Sequence, residues 1–154
     1  MIQRPRIRTQ REGTSIPEMA LLSVVFFMFM FGILEYARFI FIQNLLNNAC
    51  REGARYAVVQ TLNGTSSQVQ SYVDAYLAGQ GSALNGYSLS SITVFQANTS
   101  TGANNSGGWT NAGQGQAIGV SITGTYDPLL PSFLFMGNTI SMQATSIMYS
   151  EGGL

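Results

Sequence analysis

The chain has 154 residues, is 45% hydrophobic but only 9% charged, and carries no formal net charge. All seven basic residues are arginines placed before Tyr56, and beyond it only Asp74, Asp127 and Glu151 are charged. The larger part of the chain therefore lacks a basic patch, and nucleic acid is not expected as a partner. Histidine is absent, which removes the commonest general base and metal ligand, and the single Cys50 excludes an intramolecular disulfide.

The first element is a basic head, with Arg4, Arg6, Arg8 and Arg11 ahead of Gly13. An uncharged apolar run, Met19 to Leu34, follows between Glu18 and Glu35. Positive charge before such a run keeps the N-terminus cytoplasmic and sends the remainder across the membrane. A span needs about 20 apolar residues, so the run must lengthen past Glu35 and Arg38 to take in Phe39–Ile42. Pairing of Glu35 with Arg38 at i, i+3 is what allows that extension, which puts the span at about 17–42. No small-residue cleavage site follows the run, so the helix is retained. Pro17 suits a first helical turn, and Ser15 with Glu18 reads as a capping box. Glu18 is equally a carboxylate at the mouth of an apolar segment, where a desolvated charge requires a partner.

Helical periodicity continues through Ile42, Leu45, Leu46, Ala49, Gly53, Tyr56 and Ala57, which predicts one helix from about Ile16 to Gln60. Ala49, Gly53 and Ala57, four residues apart, form a groove of small side chains into which a sheet or another backbone settles. Arg51 and Arg55 stand one turn apart with Glu52 within reach of Arg55, as a solvated ion-pair face or as a contact for a neighbouring subunit or lipid headgroups. Cys50 reads as a buried packing residue, with a link between two chains as the alternative.

Two segments carry a family resemblance. Gly13-Thr14-Ser15-Ile16-Pro17-Glu18 resembles the processing site of type IV pilin precursors, a basic leader ending in Gly before a mature chain whose fifth residue is Glu. Gly32-Ile33-Leu34-Glu35-Tyr36-Ala37-Arg38 and Asn48-Ala49-Cys50-Arg51-Glu52-Gly53-Ala54-Arg55-Tyr56-Ala57 look like the TadE-like family, the pilin-like proteins of tight-adherence (Tad) pili. The resemblance implies cleavage between Gly13 and Thr14 by a prepilin peptidase. It also implies a subunit-assembly role for Glu18, whose carboxylate would pair with the terminal amine of a neighbouring subunit. A buried charge is tolerated when paired and very costly alone.

The rest of the chain, 61–154, reads as one exported α+β domain. Asn63-Gly64-Thr65-Ser66-Ser67 breaks the helix, and a second amphipathic helix is predicted over about Ser67–Ala78, with Gly79 as its stop. Strands are predicted at Ser91–Gln96, Ala117–Tyr126 and Thr139–Tyr149, as an antiparallel meander packed on the long helix. The apolar parity shift from Ala144 to Ile147 predicts a bulge or a change of face in the third strand. Residues 98–116, rich in Gly, Asn, Ser and Thr, predict a long mobile connection, with Trp109 folded back as an anchor, the favoured reading, or exposed as a contact for a partner. The apolar segment Leu129–Met136 is expected to plug the sheet or to meet the membrane or a neighbouring subunit.

The sequence thus predicts a pilin-like α+β fold in three parts: a cleaved leader 1–13, a helix 14–60 and the exported domain. No cofactor or metal is expected and no catalytic residue stands out, since paired carboxylates and a Ser/His arrangement are both missing. By the resemblance, the chain is a minor pilin or pseudopilin in the bacterial inner membrane or the pilus fibre, serving surface attachment. Its partners would be other pilin subunits, the Tad assembly machinery, the prepilin peptidase and membrane lipid. The alternative is an uncleaved, single-pass surface protein whose exported domain binds a partner.

Overall fold

A computed structural model describes residues 15–61, 63–129 and 138–150. Helix α1, Ser15–Val59, is a continuous element of 45 residues, about 67 Å long at 1.5 Å per residue. No proline follows Pro17 within it, and Pro17 lies in the first turn, where its missing N–H has no intrahelical partner to lose. The expected start at about Ile16 agrees with the structure to within one residue, whereas the Ser15 side chain and the expected cap lie outside the described residues.

Helix α2, Ser66–Ala78, begins with a complete capping box: the Thr65 hydroxyl accepts from Gln68 N–H, and the Gln68 side chain accepts from Thr65 N–H at 2.9 Å. Val69, Val73 and Leu77 form its buried face, three positions at four-residue spacing. Short 3-10 turns follow at Gly81–Leu84 and Trp109–Asn111.

The sheet is a meander of β1 (Tyr87–Ala97), β2 (Ala117–Tyr126) and β3 (Ile140–Tyr149), in the order β1-β2-β3 with both pairings antiparallel. β2 is the central strand and is buried along most of its length. Strand β1 is longer than the sequence suggested, because its first residues pair with Gly124, Thr125 and Tyr126 despite a polar Ser-Leu-Ser-Ser stretch. Of the two readings of the parity shift, β3 shows the change of face and no bulge. Its pairing with β2 runs unbroken from Ala117↔Tyr149 to Tyr126↔Ile140, and the register irregularity lies instead in β1, between Leu89 and Ser91. The physical reason is that Met142, Ala144 and Met148 keep one inward parity, while Ile147 stays on the opposite face near Gly102.

The core lies where α1 and α2 cover one face of the sheet. Ile42, Leu46, Ala49, Cys50, Ala54 and Ala57 of α1 meet Val69 and Val73 of α2 and Ile118, Val120 and Ile122 of β2. Gly53 sits at the tightest approach: a Cβ there would lie 2.5 Å from Val73 Cγ2 and 3.3 Å from Val120 Cγ1.

The 98–116 connection has more structure than its composition suggested. Asn98 caps a turn by accepting from Ser100 and Thr101 N–H, and Ala97 bridges to Asn104. Trp109 is buried and donates to Ser66 Oγ at 2.9 Å, which ties the loop to the start of α2. The expectation that Trp109 anchors the loop is met. The anticipated plug beyond Leu129 falls mostly on residues 130–137, outside the described residues.

Candidate functional site

The two halves of α1 have different surroundings. From Ile16 to Leu34 no side chain is buried, and Leu21, Phe26, Phe29 and Ile33 are each more than 60% exposed. The helix that carries this stretch is long and apolar enough to cross a membrane. Burial begins at Glu35 and continues as a stripe on one side. The four residues expected to extend the span are divided by it: Ile42 is fully buried and Phe39 packs edge-on against Tyr126, while Ile40 and Phe41 are exposed.

Glu35 and Arg38 do pair, at 3.9 Å, but mutual neutralisation is the smaller part of their role. Glu35 is 6% exposed; its carboxylate accepts a short hydrogen bond from the Tyr126 hydroxyl and one of 3.3 Å from Leu129 N–H. Arg38 donates to the Asn85 carbonyl, and its guanidinium lies 5.4 Å from the centre of the Tyr126 ring. Two adjacent turns of chain, at Asn85-Gly86 and at Tyr126–Leu129, are thereby held to one turn of α1, and Asp127 N–H donates to Gly86 carbonyl at 2.7 Å to join them. Gly86 has φ +80, and a side chain there would run into the Arg38 guanidinium. Burial and the hydrogen bond to Glu35 push the Tyr126 phenol up to about 12, so it remains a donor throughout the neutral range. A buried carboxylate with three partners is in the condition that makes burial tolerable.

Of the remaining expected site residues, Gly13 and Thr14 lie outside the described residues. Glu18 is exposed in the first turn of α1 and forms no ion pair among the described residues. Ala49, Gly53 and Ala57 are buried against the chain's own sheet and second helix, so this groove is filled within the subunit. Arg51 and Arg55 face outward. Glu52 and Arg55 do not pair, and Arg55 flanks a shallow hollow with Glu52, Tyr56 and Tyr72. The rings of Tyr56 and Tyr72 stack there, 4.5 Å apart. Cys50 is buried with its thiol donating to the Ala144 carbonyl at 3.2 Å, a packing position, and burial pushes it up to about 11. No cluster of three or more His, Cys, Asp or Glu side chains is present among the described residues.

Sequence reasoning missed Asn85, Tyr126 and Leu129 as partners of the Glu35–Arg38 pair. The available signal was the Tyr-Asp-Pro-Leu turn at the end of an apolar strand, together with a carboxylate too far inside a helix to be a cap.

Residues 13–55 match the family model described as TadE-like protein. The match covers the end of the basic head, the exposed half of α1 and most of its packed half, so the resemblance read from the sequence is shown over this segment. No curated protein and no solved structure matches the chain.

Proposed function

We propose that this TadE-like chain is a structural, non-catalytic subunit of a Tad type IV pilus, a minor pilin or pseudopilin cleaved between Gly13 and Thr14 by a prepilin peptidase. The head stays in the cytoplasm, Ile16–Leu34 crosses the inner membrane, and the α+β domain stands outside. The observation that carries this reading is the coincidence of the family match with a helix that has no buried side chain over Ile16–Leu34 and is docked to a sheet over its other half. An exposed apolar half-helix serves as an anchor while surrounded by lipid. The same surface packs against other helices once the subunit leaves the bilayer for the fibre, where other pilin subunits and the assembly machinery are its partners. Glu18 has no ion-pair partner within the described chain, so any charge that neutralises it in an apolar setting comes from elsewhere; the terminal amine of a neighbouring subunit fits that need.

Terminal sequencing of the mature protein from cells with an active prepilin peptidase tests the reading. A chain starting at Thr14 is expected, and a chain retaining Met1 would replace the pilin reading with that of an uncleaved membrane-anchored surface protein. In Glu18→Ala, membrane insertion should persist while co-purification with pilus components is lost. Loss of a helix cap alone costs about 1 kcal/mol and would leave assembly intact.

A further inference from the structure

We infer that the sheet turn carrying Leu129, together with Tyr36 of α1, forms a second membrane contact that rests in the interfacial layer of the bilayer. This rests on the proposed membrane-spanning role of α1. The exposed run Ile16–Leu34 rises about 28 Å at 1.5 Å per residue, close to the hydrocarbon thickness of about 30 Å. Glu35, the next residue, therefore marks the boundary, and its carboxylate holds the backbone N–H of Leu129 at 3.3 Å. The depth of this turn is thus fixed by a hydrogen bond to the residue at the boundary, and does not depend on how the rest of the domain leans.

The side chains at that level suit the layer. Leu129 and Tyr36 are each 66% exposed, whereas Pro128 is buried against the domain. Tyrosine is enriched where headgroups meet hydrocarbon. Asp127 is also exposed on the turn; a carboxylate is expensive in hydrocarbon, so the contact stops at the interfacial layer. The occupant is lipid because this surface continues directly from the exposed apolar run. At the opposite end of the sheet, Ala97 pairs with Ala117 and Ala117 with Tyr149, beside the Asn- and Gly-rich loop. That end faces water.

The test uses the full chain in vesicles of phosphatidylethanolamine and phosphatidylglycerol, with a nitroxide placed singly by Leu129→Cys, Phe27→Cys or Asn104→Cys; the native Cys50 is buried and escapes labelling. Collision of each label with oxygen, which concentrates in the bilayer, is compared with collision with a water-soluble nickel chelate. Phe27 should be dominated by oxygen, Asn104 by nickel, and Leu129 should lie nearer to Phe27. If Phe27 is oxygen-dominated while Leu129 matches Asn104, the second contact is overturned and the span survives. If Phe27 itself is nickel-dominated, the membrane reading and the contact fall together.

Discussion

The two halves of α1 are one continuous helix, yet they solve opposite problems. Residues 19–34 carry no charge anywhere on the circumference, and none of their side chains is buried. Residues 42–57 confine their apolar and small side chains to one side, with Asn44, Asn47, Asn48, Arg51 and Arg55 on the other. Circumferential apolarity suits a surrounding apolar solvent, and sided apolarity suits a partner on one face. The change of pattern occurs at Glu35, where the helix first meets the sheet.

Substitutions should therefore have unequal effects in the two halves. The largest is expected for Gly53→Leu, because even a Cβ at that position collides with Val73 and Val120; overpacking there should cost about 3 kcal/mol. Urea unfolding in detergent, followed by the fluorescence of Trp109, would measure it. Phe27→Leu in the exposed half should change the same midpoint by less than about 0.5 kcal/mol, and an equal loss in both variants would erase the distinction between the halves. Glu35→Ala comes next, at about 2 kcal/mol, since it strips the acceptor from Tyr126 and Leu129 and leaves Arg38 without its carboxylate.

The last effect is one of pH and is confined to alkaline solution. Folding raises the Cys50 thiol from 9.0 to about 11, so an unfolded chain ionises first. The contribution of this group is complete below about 9 and is lost as the pH rises towards about 11. Cys50→Ala should flatten that part of the alkaline stability curve, and a thiol reagent should modify the native protein no faster than it unfolds.

Elements with strong periodicity were legible in the sequence: α1, α2 and β2 begin and end within a residue of where their patterns place them. Pairing across long distances was not. Ser88–Ser91 joins β1 only because β2 lies beside it, and its own residues have little of the apolar alternation that marks a strand. The Ala144–Ile147 parity shift looked local but reflects an outer-face contact of Ile147 with the loop at Gly102. Glu35 and Arg38 were recognisable as a pair because i, i+3 spacing is a property of one helix. Their partners Asn85, Tyr126 and Leu129 come from other segments, and spacing along a helix has no means of naming them. Trp109 could be placed correctly for a simpler reason, as large aromatic area favours burial wherever a site is within reach.

The Tyr126 hydroxyl that meets Glu35 lies 91 residues further along the chain. In the proposed orientation, a ribosome delivers α1 to the membrane well before β2 has crossed it. During that interval the carboxylate waits at the bilayer edge without its tyrosine, and Arg38 is its only counter-charge within one turn. Closure of this bond is therefore a late event of export, and a chain stalled before residue 126 would hold that acid with Arg38 alone.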